Sequence, residues 1–284
     1  MRVGMLGLGA MGSGMAGNLA RAGLLRSIWN RTPDKARLLS AELGAEVAQS
    51  PQQLMAQCDL VVVSVKADAD LLQVAAALSE GISPGKVVVD TSTVAPRTAI
   101  AVSGQLTQRG GAFLDAPVSG GPEGARRGNL SMFVGGEASV LERVRPALQT
   151  LAGRILPMGE VGSGQAAKAV NQVMVAGINQ AVTEALAFGS VLGLPMTTLL
   201  PGLAGGAAGN WFLDHRGANM LAGEFPAGFK VALHHKDLRI CLELAEARGL
   251  NLPLVAETAR QYEILLRQEH GEEDISALYR LKRP

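Results

Sequence analysis

Cysteine and aromatic residues are scarce in this chain. Of its 284 residues, two are cysteines, Cys58 and Cys241, and they stand far apart. Two isolated thiols supply neither a disulfide framework nor the closely spaced ligands of a zinc site. We therefore expect a reducing compartment, the cytoplasm, and no metal centre.

An excess of charge and a membrane-spanning segment are also lacking. The formal net charge of +1 gives no reason to expect a nucleic acid or a membrane surface as partner. The uncharged stretch from Ala169 to Thr183 is too short to span a bilayer and carries four amide side chains. The chain enters an apolar run by Val3, so we expect no signal peptide.

Hydrophobic residues make up nearly half of the sequence, and 35 residues are glycine. This balance is typical of an α/β protein whose glycines mark tight turns, and the length predicts two domains. An apolar run from Met1 to Leu6 leads into Gly7-Leu8-Gly9-Ala10-Met11-Gly12, and a helical pattern then continues to Gly23. Strand, glycine turn and helix in this order predict a dinucleotide-binding loop.

The next strand, Leu25 to Trp29, ends in Asn30-Arg31-Thr32. NAD-binding proteins usually carry an acidic residue at this point to bind the adenosine ribose. An arginine there favours a 2′-phosphate, and asparagine does not repel one. We therefore favour NADP(H) as cofactor, with NAD(H) as the alternative.

Two further continuous apolar runs predict buried parallel strands, Asp59 to Val65 and Lys86 to Asp90. Ligands bind beyond the carboxyl ends of such strands, so Val65 and the segment from Asp90 to Thr93 are expected near the cofactor. Lys66 is expected to be a solvated loop lysine.

Ser119-Gly120-Gly121 follows the segment from Gly111 to Asp115. A hydroxyl next to two backbone N–H groups is a suitable cradle for a carboxylate, although serine and glycine are also common in plain turns. Leu130 to Val134, expected to be antiparallel, and Arg154 to Leu156 predict closing strands, and the α/β part should end near Met158.

The second half of the sequence is predicted to be helical. A helix of about 29 residues should run from Gly162 to Leu192 without a proline. Lys168 and Asn171, three residues apart, share one face near its start, and the residues alone leave open whether the lysine is functional or only reaches out to solvent. Further helices are expected at 197–203, 210–221, 233–248, 253–268 and 275–281. In His234-His235-Lys236-Asp237 the adjacent histidines face different ways, which argues against a metal site.

Four separated motifs resemble those of the β-hydroxyacid dehydrogenases, a family that includes 3-hydroxyisobutyrate dehydrogenase, tartronate semialdehyde reductase and glyoxylate/succinic semialdehyde reductases. The motifs are residues 5–12 with Met15, Asp115 to Gly121, Gly162-Ser163-Gly164 with Lys168 and Asn171, and Lys236-Asp237-Leu238. The loop from Ser64 to Asp68 lacks the proline that several relatives carry after this strand.

The resemblance implies roles for individual residues. Lys168 would be the catalytic acid/base, Asn171 would orient the substrate, and Ser119, Gly120 and Gly121 would hold its carboxylate. Thr93 and Lys236 would contact the cofactor near the nicotinamide.

The resemblance also implies an N-terminal Rossmann domain (1–160) joined by a long helix (161–193) to an all-α domain (194–284), in homodimers or homotetramers. The expected reaction is hydride transfer between NAD(P)(H) and a small hydroxy acid or its aldehyde or keto acid, with the lysine moving the proton. The alternatives are an imine reductase, which Lys168 argues against, and a non-catalytic NADP(H)-binding module.

Overall fold

A computed structural model describes residues 1–283 and divides the chain into two compact units, Met1–Lys168 and a second from Ala169 onward. The helix Ser163–Val191 has 29 residues and passes from the first unit into the second. Its length agrees with the sequence-based prediction.

The first unit is an α/β structure built on a nine-stranded sheet. Its strands are β1 (Val3–Leu6), β2 (Leu25–Trp29), β3 (Glu46–Val47), β4 (Leu60–Val63), β5 (Val87–Asp90), β6 (Ala112–Asp115), β7 (Val118–Ser119), β8 (Leu130–Gly135) and β9 (Ala152–Gly159). The order is β3-β2-β1-β4-β5-β6-β8-β7, with β9 beside β8. The first six strands are parallel, and β8 runs antiparallel to β6 and β7, as predicted for this segment. This is the order of a doubly wound, Rossmann-type sheet.

Seven helices and the beginning of an eighth accompany these strands in the first unit. They are α1 (Ala10–Arg21), α2 (Pro33–Leu43), α3 (Pro51–Gln57), α4 (Asp68–Gly81), α5 (Pro96–Thr107), α6 (Gly121–Arg127), α7 (Ala138–Leu148) and the beginning of α8 (Ser163–Val191). Successive residues of a strand point to opposite faces of the sheet. Met5 and Leu6 accordingly belong to two different apolar clusters, and so do Val62 and Val63. Both faces of the sheet are buried, which explains the continuous apolar runs in the sequence.

The second unit is helical. It contains the rest of α8, then α9 (Met196–Ala204), α10 (Trp211–Ala222), α11 (Val231–Glu246) and α12 (Pro253–Arg267), with 3-10 helices at His270–Glu272 and Ile275–Leu281. Leu238, Tyr262 and Leu278 are among the fully buried residues of its core. Residues 275–281 were expected to be helical, and Ile275–Leu281 is a seven-residue 3-10 helix, longer than most helices of this type.

One face of α8 stays exposed although it is apolar. Met174 and Phe188 are 64% and 65% exposed, and Val170, Val191 and Leu192 are exposed near them in helical spacing. We define these five residues as the exposed apolar stripe of α8.

Each unit contains one buried free cysteine, Cys58 in the first and Cys241 in the second. Burial raises the pKa of Cys58 to about 11, since an apolar environment disfavours the thiolate. None of the helices in residues 1–283 is long and apolar enough to cross a bilayer.

Candidate functional site

The loop between β1 and α1 needs two of its glycines for the protein's own packing. Gly7 has φ +87°, and a Cβ there would lie 2.0 Å from the carbonyl oxygen of Ser64 at the end of β4. A Cβ on Gly12 would lie 1.8 Å from the carbonyl oxygen of Gly7. These contacts bring α1 and the end of β4 as close to the loop as a dinucleotide-binding turn requires.

Packing within the described residues does not require a glycine at position 9. A Cβ at this position would meet nothing within 4 Å among the described residues. Gly9 is also the N-cap of α1, and no side chain in residues 1–283 caps this helix. The open space and the uncapped helix start fit a bound pyrophosphate, which accepts hydrogen bonds from such N–H groups.

Asn30 holds the glycine loop from the end of β2. Its Oδ1 accepts a hydrogen bond from the backbone N–H of Leu8 at 2.9 Å, and its Nδ2 donates to the carbonyl oxygen of Thr32 at 3.0 Å. The sequence suggested only that this side chain would tolerate a phosphate. The structure adds that it links the two cofactor-loop segments.

Arg31 projects into solvent beside this loop. Its side chain is 72% exposed, and its guanidinium lies 2.8 Å from a carboxylate oxygen of Asp70 in the first turn of α4. Such an exposed ion pair contributes little free energy and exchanges readily with another anion. Arg31 is therefore available to a phosphate, in competition with Asp70.

The ends of β4 and β5 are joined by a serine. The backbone N–H of Val65 donates to Ser92 Oγ at 2.9 Å, and this hydroxyl donates to Asp90 Oδ1 at 2.6 Å. Thr93 follows directly on the same loop and is half-buried. The predicted cofactor residues Val65 and Thr93 thus lie on two loops that are linked to each other.

The cradle Ser119-Gly120-Gly121 is positioned by a short strand and a helix. Ser119 pairs with Ser131 of β8, and Gly120 has φ +128°, a backbone conformation that side chains disfavour. The helix that follows, α6, packs against α1, where Asn18 Nδ2 donates to the carbonyl oxygen of Ala125 at 2.6 Å. The cradle is therefore fixed to the helix that begins at the glycine loop.

Lys168 lies in the second turn of α8 and is 7% exposed. The start of α8 is held by Asp115, at the end of β6. Asp115 Oδ1 accepts from the N–H of Gly162 at 2.7 Å, and its Oδ2 accepts from the N–H of Gln165 at 2.8 Å. Burial raises the pKa of Asp115, and these backbone hydrogen bonds oppose the shift. A buried lysine is thus carried on a helix whose first turn is anchored to the sheet.

The second unit links its two predicted site residues through a chain of polar side chains. Asn171 Nδ2 donates to Gln172 Oε1 at 2.7 Å, and Gln172 Nε2 donates to Asp237 Oδ2 at 2.7 Å. The other oxygen of Asp237 lies 2.9 Å from Lys236 Nζ. Sequence reasoning did not connect Asn171 with Lys236, because Gln172, which binds both Asn171 and Asp237, carries no motif of its own.

In the part of the chain that the structure describes, no group of three or more His, Cys, Asp or Glu residues is arranged to hold a metal ion. His234 Nδ1 lies 3.0 Å from the hydroxyl of Tyr262 in the core of the second unit.

Comparison with known proteins places these features in a family. Residues 2–159 match the NAD-binding domain of 6-phosphogluconate dehydrogenase, and residues 162–282 match the NAD-binding domain of NADP-dependent 3-hydroxyisobutyrate dehydrogenase. The 2-hydroxy-3-oxopropionate reductase of Escherichia coli is 38% identical, over 98% of this chain and 96% of that protein. The chain belongs to the β-hydroxyacid dehydrogenase family.

Solved structures agree with this assignment. A structure of 3-hydroxyisobutyrate dehydrogenase from Mycobacterium tuberculosis with L-serine is 31% identical, with a TM-score of 0.89 and full coverage of both chains. An imine reductase from Myxococcus stipitatus is 22% identical with a TM-score of 0.68 over 99% of both chains, a likeness of fold alone. As a β-hydroxyacid dehydrogenase, the protein is an NAD(P)-dependent oxidoreductase, as its motifs predicted.

Proposed function

We propose that this β-hydroxyacid dehydrogenase reduces a short aldehyde that bears a carboxylate, with NADPH preferred over NADH and Lys168 as the proton donor. The first substrate to test is 2-hydroxy-3-oxopropionate, because the reductase named for it is 38% identical. The observation that carries the proposal is a buried lysine on a helix anchored to the end of the dinucleotide-binding sheet.

In the proposed mechanism, the cofactor would provide the hydride and a side chain of the protein would provide the proton. The glycine loop would hold NADPH, which would supply the hydride for the carbonyl carbon. Ser119 and the N–H groups of Gly120 and Gly121 hold the carboxylate, and Asn171 orients the reacting group. In the direction of reduction, the ammonium of Lys168 gives a proton to the carbonyl oxygen as that oxygen becomes an alcohol. In oxidation, the neutral amine takes the proton back.

The cofactor preference is supported by the loop after β2. Arg31 can form a charged, forked contact with a 2′-phosphate, and Asn30 presents no negative charge to it. Leu8, Ala10 and Met11 line the glycine loop, and Val65, Thr93 and Lys236 complete the proposed cofactor contacts. The two buried thiols support a reducing compartment, which we propose to be the cytoplasm.

The test is a steady-state screen of carboxylate-bearing aldehydes and hydroxy acids with NADPH and NADH in parallel. Lys168→Ala should lower kcat by about 100-fold or more while NADPH binding is largely kept, because general acid–base groups contribute on this scale. Lys282→Ala is a matched control, since its side chain is 11% exposed and pairs with Glu184. This control should keep kcat within about twofold.

Three results would contradict the proposal. Full turnover in Lys168→Ala would remove the lysine from the mechanism. A clear preference for NADH would contradict the assigned role of Arg31. Tight NADPH binding without turnover of any carbonyl or imine would favour the non-catalytic binding module.

A further inference from the structure

Gln165 joins the start of α8 to the loop that carries Thr93. Its Nε2 donates to the carbonyl oxygen of Ser92 at 2.9 Å, and its Oε1 accepts from the backbone N–H of Val94 at 3.1 Å. The two contacts lie on either side of Thr93. The amide of Gln165 therefore binds the loop at Ser92 and at Val94, the residues before and after Thr93.

The same loop is held by two carboxylates from other elements. Asp90 Oδ1 accepts from the backbone N–H of Ser92 at 3.1 Å, and Asp68 Oδ1 accepts from the backbone N–H of Ala95 at 2.9 Å. Thr98 Oγ1 also donates to Asp68 Oδ1, at 2.6 Å. These contacts tie the loop to β5 and α4, and Gln165 ties it to α8.

Gln165 stands three residues before Lys168 on the same helix, so both side chains leave adjacent positions on one face. Its own backbone N–H is bound by Asp115, which fixes this turn of the helix to β6. The side chain of Gln165 can therefore move little without moving the helix turn that leads to Lys168.

Burial makes this link stiff. Gln165 is 1% exposed and Ser92 is 4% exposed, so water does not compete for their hydrogen bonds. Both polar ends of the amide are paired with backbone groups whose directions are fixed. Loss of the side chain would leave a buried carbonyl and a buried N–H without partners.

We propose that Gln165 is a positioning residue that sets the spacing between Lys168 and Thr93, and hence between the proton donor and the nicotinamide. The proposal rests on the roles of these two residues in the proposed function. Because Gln165 is buried and both ends of its amide are bound to the loop, we expect it to touch neither substrate nor cofactor. Its effect is therefore expected mainly in kcat, with a smaller effect on the KM for substrate.

The first test compares Gln165→Leu with Gln180→Leu. Both glutamines lie on α8, both are buried, and both amides are hydrogen-bonded, Gln180 to Thr258 and Gln261 in the second unit. We expect Gln165→Leu to lower kcat by about tenfold or more, and Gln180→Leu to keep kcat within about twofold, because a displacement near 1 Å at a reacting group costs on the order of 100-fold. Thermal melts should show similar losses of stability in the two variants.

The second test uses Gln165→Glu and the pH profile. The ionised carboxylate still accepts from Val94 but has no proton to donate to the Ser92 carbonyl. The protonated acid has one and restores both contacts. Burial and the nearby carboxylates of Asp90 and Asp115 favour the protonated form, and the ammonium of Lys168 opposes it. The ratio of kcat in Gln165→Glu to kcat in the wild type should therefore rise as the pH falls from 8 to 6.

The outcomes separate this proposal from the proposed function. Wild-type kcat in Gln165→Leu, together with low kcat in Lys168→Ala, would overturn the positioning role alone. Full turnover in Lys168→Ala would overturn both. Should Gln165→Leu not fold, Gln165→Glu decides the matter, because a kcat ratio that stays at one up to pH 10, where the carboxylate is ionised, would overturn the positioning role.

Discussion

At the scale of single residues, the glycine loop combines two demands on the backbone. Gly7 and Gly12 satisfy packing within the protein, whereas Gly9 leaves a space that no described residue fills. A substitution at Gly9 should therefore act on the ligand and spare the fold, and one at Gly12 should act on the fold.

Gly9→Ser is expected to change stability and cofactor binding in opposite directions. Serine at an N-cap in extended backbone can accept from the first-turn N–H groups of α1, which raises the free energy of unfolding by a few tenths of a kcal/mol. The same side chain occupies the space proposed for the pyrophosphate, so the Kd for NADPH should rise by about tenfold or more, as loss of a charge-assisted hydrogen bond would predict.

Thermal melts and fluorescence titration with NADPH measure the two effects. Gly12→Ser is the matched contrast, because overpacking against the Gly7 carbonyl should lower stability by about 1–3 kcal/mol. Unchanged NADPH affinity in a folded Gly9→Ser variant would contradict a pyrophosphate at this loop.

Asp70 competes for Arg31 and should therefore weaken the preference for NADPH. Asp70→Asn frees the guanidinium and removes a negative charge, so the ratio of kcat/KM for NADPH to that for NADH should rise about two- to fivefold, the range of an exposed ion pair. Glu142→Gln removes the carboxylate of a comparable exposed pair, with Arg145, and should leave the ratio unchanged. A ratio that falls in Asp70→Asn would mean that Arg31 does not bind the phosphate.

At the scale of helices and strands, the sequence predicted most strands of the sheet and the helices of the second unit, and it missed the two shortest strands. β4 and β5 are runs of valine and leucine because both faces are buried, and that pattern is visible without a structure. β3 and β7 have two residues each, too few for any periodicity. They form because they pair with the neighbouring strands β2 and β8, and the local sequence carries no information about that pairing.

For the candidate site, too, the sequence predicted the parts that form a local pattern and missed the contacts that depend on the fold. Motifs located the glycine loop, the cradle and Lys168, since each is a local arrangement of residue types. The contacts of Asn30 with Leu8, 22 residues away, and of Gln165 with Ser92, 73 residues away, depend on the fold. The spacing of residues along the chain predicts neighbours within one turn or one helix. It does not predict contacts between residues so far apart in the sequence.

The exposed apolar stripe on α8 predicts self-association of the chain. Several exposed apolar side chains along one helix often mark a contact with another protein, and we expect a homodimer or homotetramer. Phe188→Glu combined with Met174→Glu should shift the mass measured by light scattering toward the monomer. Leu38→Glu, at an exposed leucine of α2, is the control and should leave the mass unchanged. A wild-type chain that is already monomeric at micromolar concentration would contradict the prediction.

At the scale of the whole molecule, two compact units share one helix, and each has its own core. Two units of this kind can differ in stability, since local opening follows the contacts within each unit. A ligand that binds one of them stabilises that unit first.

The single buried thiol in each unit offers a way to time these openings separately. At pH 8, Cys58 and Cys241 should both react slowly with iodoacetamide, because alkylation needs an exposed thiolate. Saturating NADPH should slow the labelling of Cys58 more than that of Cys241, as read by peptide mass spectrometry. If NADPH slows the labelling of both cysteines equally, the two units open together in one concerted event. The labelling rates of Cys58 and Cys241 would then report how cooperatively the enzyme unfolds.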